Sequence, residues 1–255
     1  MIDWTQRTVF ITGATAGFGA AIARRYAALG ARLVLSGRRT ERLKSLKAEL
    51  GVPVHALTLD VREREAVCAA VSGLPEEFAA VDVLVNNAGL ALGLEPAQEA
   101  SVDNWDVMVD TNLKGLMYVT HAVLPGMVAR NRGHVVNIAS TAGSYPYPGS
   151  TIYGATKAAV SQFSLNLISD LVKTNVRVTN VEPGLCGGSE FSVVRFNGDA
   201  EAAAKVYAGT EPLTSEDVAE AVLWATTLPA HVNINRIEMM PSCQAPAGLA
   251  VHRNV

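Results

Sequence analysis

Short apolar runs recur along the chain at spacings too short for helices and too regular for chance. Residues 8–12, 32–36, 55–59, 81–85, 134–139, 176–181 and 236–239 are each rich in Val, Ile and Leu and read as buried strands. Between them lie longer stretches with apolar residues at helical spacing: 17–29, 40–50, 64–72, 102–130, 153–174 and 215–227. Strand and helix in alternation predict right-handed crossovers, and so a parallel sheet covered by helices on both faces. The expected fold is a single-domain, doubly wound α/β fold of Rossmann type with a seven-stranded parallel sheet. In such a fold ligands bind beyond the carboxyl ends of the strands, where the strand order reverses.

Length and charge narrow the functional classes. A chain of 255 residues, 49% hydrophobic and 18% charged, suits one sizeable domain. The net charge of −3 comes from interspersed acids and bases. No basic stripe offers itself to nucleic acid and no polybasic cluster to a membrane surface, so a small-molecule partner is expected. The residues after Met1 carry no basic region leading into a long apolar run, and charges interrupt every run that might span a bilayer. A cytoplasmic location is the expectation. Cys68, Cys186 and Cys243, like the five histidines, are scattered, and no metal site is predicted.

The glycine-rich segment Thr12-Gly13-Ala14-Thr15-Ala16-Gly17-Phe18-Gly19 follows the first strand and opens the first helix. Glycines there permit a tight turn and close approach of backbone to a pyrophosphate, whose charge a helix N-terminus favours. Where NAD-binding folds place an acid to hold the adenosine ribose, the second strand here ends in Ser36-Gly37-Arg38-Arg39. A carboxylate would repel a 2'-phosphate, whereas a guanidinium grips it with two hydrogen bonds. NADP is therefore the expected cofactor.

Tyr153 and Lys157 are four residues apart and so share a helix face, with Ser140 upstream at the end of the fifth strand. A phenol titrates near pH 10; a fixed ammonium beside it would bring it within reach of neutrality. Ser140 can hold a substrate oxygen while Tyr153 gives or takes its proton, which suits interconversion of an alcohol and a carbonyl.

Taken with Asn86-Asn87-Ala88-Gly89, Asn112 and Pro183-Gly184, these motifs resemble the short-chain dehydrogenase/reductase family along nearly the whole chain. The resemblance implies that Tyr153 is the general acid/base and that Lys157 lowers its pKa and binds the nicotinamide ribose. Ser140 would hold the substrate oxygen, and Asn112 would fix a water linking Lys157 to solvent. Residues 13–19, Arg38, Arg39, Asp60, Val61, Asn87, Ala88, Gly89, Pro183, Gly184 and Leu185 would border the cofactor.

Substrate choice falls to the segment after the sixth strand, where Gly184, Gly187 and Gly188 precede a short apolar and charged stretch. Residues 185–212 read as a hinged lid. Its Arg195 either grips a substrate carboxylate or forms a surface salt bridge to Glu190 or Asp199. Tyr145, Pro146 and Tyr147 either wall the pocket or pack their own loop. Cys186 reads as a lining residue, not a nucleophile.

Within the family the chain is similar to bacterial NADP-dependent 3-hydroxy acid dehydrogenases, also described as serine or L-allo-threonine dehydrogenases and malonic semialdehyde reductases. The similarity rests on Thr12 to Gly19, Asn86 to Gly93, Glu182 to Leu185, Glu190 to Ser192, Val194 to Phe196 and Leu228 to Asn235. It implies oxidation of small 3-hydroxy acids at C3 or the reverse, a carboxylate role for Arg195, and a homotetramer. The small and apolar residues 245–251 of the C-terminal tail, 242–255, either pack against a neighbouring subunit or form a frayed terminus. Reduction of a 3-oxoacyl thioester, polyol or other ketone is the alternative on the same fold. Nucleotide binding without turnover is the alternative outside enzymes.

Overall fold

The structure, a computed structural model, describes residues 2–246. Seven strands, β1 (Thr8–Thr12), β2 (Arg32–Gly37), β3 (Val54–Thr58), β4 (Val81–Asn86), β5 (Gly133–Ile138), β6 (Val176–Pro183) and β7 (Arg236–Met239), form one sheet in the order β3-β2-β1-β4-β5-β6-β7. Every pairing is parallel. The order reverses between β1 and β4, and the binding crevice is expected there.

Alternation along the strands builds two cores. Val9 and Ile11 of β1 and Leu33 and Leu35 of β2 turn to one face, whereas Phe10 and Val34 turn to the other. The first face is covered by α1 (Gly17–Ala28), α2 (Thr40–Leu50) and, late in the chain, α10 (Ser215–Thr227). Tyr26 of α1 is fully buried there, with its hydroxyl 2.6 Å from Thr226 Oγ1 of α10. The second face is covered by α3 (Arg64–Ser72), the short α4 (Glu76–Ala79), α6 (Leu116–Ala129) and α7 (Thr151–Asp170). Two further short helices, α8 (Phe191–Arg195) and α9 (Ala200–Lys205), lie in the segment after β6 expected to be a lid.

The predicted elements match closely, with three corrections. The helix expected over 102–130 is α5 (Val102–Val109), a π-helical turn at Asp110–Gly115, and then α6. Asn112 lies inside that wide turn, where its side chain is drawn out to the Leu90 backbone. β7 is an edge strand whose residues alternate between exposed and half-buried, so its pattern is amphipathic and not that of a buried strand. The helix expected at 153–174 begins at Thr151 and ends at Asp170. Of the expected C-terminal tail, residues 247–255 lie outside the described residues.

Candidate active site

A cleft of about 770 Å³ runs along the carboxyl ends of the strands from Gly13 and Arg39 to Tyr153 and Arg195. That size is ordinary for a cofactor site. At its centre Gly13 and Gly17 adopt φ of +66° and +52°, which L side chains rarely tolerate. Gly19 lies beneath, where a Cβ would come within 2.5 Å of Gly13 O and 2.6 Å of Asn87 Nδ2. The turn is held by Asn87, whose Nδ2 donates to Thr12 O and Gly13 O at 2.9 and 3.1 Å. Helix α1 then starts after its N-cap Ala16, with no side-chain cap and no acid in its first turn. Its first N–H groups thus face the cleft without a competing anion, as a pyrophosphate site requires.

One end of the cleft is basic. Arg38 and Arg39 line it, and Arg39 donates from Nε and Nη2 to Thr15 Oγ1 at 3.1 and 2.8 Å. Asp60 and Val61 line it too. The Arg62 guanidinium hydrogen-bonded to Asp60 holds that carboxyl below its ordinary value, so the acid is spoken for. Thr111, whose buried hydroxyl has no partner among the described residues, borders the same cleft. Glycine turn, uncapped helix, orphaned hydroxyl and basic end together fit a phosphorylated dinucleotide.

The opposite end gathers Ser140, Tyr153 and Lys157. Ser140 lies two residues beyond β5 with extended backbone, and its Oγ accepts from Ala142 N at 3.1 Å, which fixes the hydroxyl at the cleft. Tyr153 and Lys157 project from the first two turns of α7 and are both buried. Lys157 Nζ donates to Ile138 O at 2.8 Å and stands 5.8 Å from the centroid of the Tyr153 ring. Burial pulls the Lys157 ammonium down to about 8. The Tyr153 phenol is pushed upward by burial, with the Ser140 hydrogen bond and the Arg195 charge acting against that push. In the protein alone burial is the larger influence on the phenol, while the Lys157 ammonium, held by Ile138 O, keeps its place beside the ring.

Asn112 is likewise fully engaged, since Oδ1 accepts from Leu90 N at 2.8 Å while Nδ2 donates to Leu90 O at 2.8 Å and to Thr156 Oγ1 at 3.2 Å. It meets Lys157 across Gly89, where a Cβ would lie 3.2 Å from Asn112 Oδ1 and 3.4 Å from Lys157 Nζ.

Arg195 enters from the lid. Its guanidinium carbon sits 5.4 Å from the ring centroids of both Tyr147 and Tyr153 and 5.9 Å from that of Phe191. Nη2 donates to Tyr147 Oη at 2.7 Å and Nε to Gly93 O at 3.3 Å. Among the described residues no carboxylate pairs with it, which removes the surface salt bridge to Glu190 or Asp199. A cation stacked on the Tyr153 ring, with no carboxylate paired to it among the described residues, has its charge available to an anion.

Residues 7–196 match the short chain dehydrogenase family. The chain belongs to that family. NADP-dependent 3-hydroxy acid dehydrogenase YdfG of Salmonella typhi is 62% identical over 246 residues, 96% of this chain and 99% of the relative. Sulfoacetaldehyde reductase 2 of Chromohalobacter salexigens is 53% identical, over 96% of this chain and 98% of the relative. Among solved structures, the closed form of a serine dehydrogenase complexed with NADP+ superposes with a TM-score of 0.95 at 60% identity, covering 97% of this chain and 100% of that one.

On this short chain dehydrogenase frame, most of the residues expected at the site reach the cleft: Gly13, Thr15 to Phe18, Arg38, Arg39, Asp60, Val61, Asn87 to Gly89, Ser140, Tyr153, Lys157, Pro183 to Leu185 and Arg195. Two cofactor residues do not. Ala14 is fully buried with its N–H given to Ser36 O at 2.9 Å, and Gly19 packs under the turn. Tyr145, Pro146 and Tyr147 do line the pocket. Cys186 lines it as well, with burial pushing its thiol up to about 12, which suits a wall and not a nucleophile. Sequence reading missed Phe191, whose ring stands 5.7 Å from that of Tyr153, and Gln244, whose Oε1 accepts from Leu185 N at 2.7 Å. It also missed that Arg42, one helical turn beyond Arg38 and Arg39, pairs with the cleft residue Glu190; that spacing was the available signal.

Proposed function

We propose that this chain is an NADP-dependent 3-hydroxy acid dehydrogenase that interconverts small 3-hydroxy acids such as serine, L-allo-threonine, 3-hydroxypropionate and 3-hydroxyisobutyrate with their 3-oxo acids or semialdehydes. The observation that carries the reading is Arg195, stacked 5.4 Å over Tyr153 with no carboxylate of its own. NADP, when bound, supplies the hydride exchange at the substrate carbon. Arg38 and Arg39 hold its 2'-phosphate, the start of α1 its pyrophosphate, and Asp60 and Val61 its adenine, while Asn87 to Gly89 run beside it.

The protein's own groups do the rest. Arg195 fixes the substrate carboxylate and thereby turns the neighbouring hydroxyl toward Ser140 and Tyr153. Ser140 donates to the reacting oxygen, and Tyr153 takes or returns its proton, so that no unpaired oxyanion accumulates. Lys157 binds the nicotinamide ribose and passes charge and protons inward, with Asn112 shaping the gap beside it. Residues 185–212 close over the substrate as a lid. The same cation would also accept a sulfonate, a reading favoured by the 53% identity to a sulfoacetaldehyde reductase.

We further propose a cytoplasmic homotetramer. Half-exposed Met117, Leu165 and Trp224 on α6, α7 and α10 offer apolar faces for subunit contact. Among the described residues no helix is long and apolar enough to cross a membrane.

The test follows reduction of NADP spectroscopically with serine, 3-hydroxypropionate, 2-hydroxyethanesulfonate and matched neutral alcohols. Acids are expected to react and neutral alcohols to lag. Arg195→Met should cost acids about 10- to 100-fold in kcat/KM, the worth of a charge-assisted pair, and cost neutral alcohols far less. Equal turnover of neutral alcohols and acids by the wild type refutes the reading.

A further inference from the structure

The lid helix α8 runs for five residues from its N-cap Glu190 to Arg195. At the Arg195 end it rests on the catalytic tyrosine. At the Glu190 end it is tied to the cofactor's arginines: Glu190 Oε2 accepts from Arg39 Nη1 at 2.6 Å, and the two carboxylate oxygens accept from Arg42 Nη1 and Nη2 at 2.8 Å each. A helix of this length spans about 7.5 Å. A carboxylate therefore sits within the basic corner that would receive the 2'-phosphate, at the other end of the element that presents Arg195. Arg38, which also lines the cleft, has no carboxylate within salt-bridge distance among the described residues.

We infer that Glu190 is a latch, an internal anion that closes the lid against the 2'-phosphate arginines, positions Arg195, and competes with the phosphate for Arg39. The inference rests on the proposed NADP-dependent reaction. A bound 2'-phosphate carries close to two negative charges, and it meets a carboxylate on the same guanidinium. Arg38 and Arg39 then turn to the phosphate, while the bidentate fork of Arg42 keeps Glu190 and with it the lid. Arg42 is thus the hinge post that lets phosphate binding and lid closure coexist. All three side chains are between 42% and 48% exposed, so the ties are screened by salt and open readily, as a lid must.

Glu190→Gln keeps the size and removes the charge. NADPH, followed by its own fluorescence, should bind about 3- to 10-fold more tightly, the scale of one exposed charge contact, while NADH binding stays the same. Amides of residues 190–199 in the nucleotide-free protein should exchange with deuterium several-fold faster. The KM for a 3-hydroxy acid should rise by more than kcat falls, as expected of a positioning residue. Arg42→Gln should loosen the same amides but weaken NADPH, because Glu190 then moves wholly onto Arg39. Weaker or unchanged NADPH binding in Glu190→Gln, or lid exchange as slow as in the wild type, overturns the latch. A wild type that binds NADPH but oxidises no 3-hydroxy acid refutes the substrate reading alone, and the nucleotide and exchange measurements still judge the latch.

Discussion

Lys157 is expected to destabilise the protein that needs it. Its ammonium is buried, and burial takes it from an ordinary 10.5 to about 8. That difference corresponds to about 3 kcal/mol at 1.36 kcal/mol per pH unit. At pH 7 the lysine is protonated in the folded and the unfolded chain alike, so the whole cost is present. Between about pH 8 and 10.5 the folded protein has released the proton while the unfolded chain retains it, and the wild type gains stability as pH rises. Above that window both states are neutral and the cost is gone. Lys157→Met keeps most of the volume and removes the charge, but leaves Ile138 O without the 2.8 Å bond from Nζ, at about 1–2 kcal/mol. The net gain at pH 7 is about 1–2 kcal/mol, or roughly 2–8 °C in Tm for a chain of this size. Differential scanning calorimetry of the nucleotide-free proteins at pH 7, 9 and 10.5 checks it. The variant should melt higher at pH 7, and the gap should shrink and then reverse by pH 10.5, with turnover lost throughout. A variant less stable than the wild type at pH 7, or a gap that does not change with pH, refutes the reasoning.

Three other substitutions probe the remaining parts of the cleft. Tyr153→Phe should lower kcat by about 10²- to 10⁴-fold, the usual worth of general acid–base catalysis, while NADPH fluorescence shows binding intact. Arg39→Ala removes a guanidinium that engages Thr15 and Glu190; titration should show NADP weakened by about 10- to 100-fold and NAD no worse. Gly19→Ala places a methyl group 2.5 Å from Gly13 O and 2.9 Å from Ala14 Cα, both backbone atoms that cannot swing away. It should lower stability by about 1–3 kcal/mol in thermal melts, as overpacking does, and weaken the nucleotide with it.

Much of the fold was legible because its strands are short, apolar and separated by amphipathic helices. β1, β7, α2, α3 and α10 begin and end at the predicted residues. Where prediction slipped, a tertiary contact had intervened. The break between α5 and α6 follows from Asn112 reaching Leu90 and from Gly115 packing so near Val61 that a Cβ would lie 2.6 Å from Val61 Cγ2. Neither contact leaves a local signature, since Asn112 and Gly115 are unremarkable in a helical pattern. α8 and α9 were read only as lid because a helix of five or six residues shows less than two turns of periodicity.

The site shows a sharper division between what spacing tells and what it cannot. A separation of four residues on α7 places Tyr153 and Lys157 together, and the structure bears that out. The sign of the effect on Tyr153 does not follow from spacing, because it depends on how much water the fold excludes and on which partner claims the ammonium. Ile138 O claims it, at the end of β5, a strand nineteen residues away in sequence. In the protein alone burial pushes the phenol upward, and the Arg195 guanidinium, on a segment more than forty residues downstream, acts against that push. Any movement of residues 191–195 therefore changes the charge beside the Tyr153 ring. The Glu190 end of that segment is in turn held by the arginines at the far end of the cleft. A substrate anion that paired with Arg195 would also cancel the positive charge nearest the phenol, so carboxylate recognition favours the protonated tyrosine needed to reduce an aldehyde. Oxidation of a 3-hydroxy acid then needs higher pH than reduction of its semialdehyde, and pH–rate profiles in the two directions with the same enzyme should be displaced accordingly. Coincident profiles would separate Arg195 from the proton chemistry and leave it a binding residue alone.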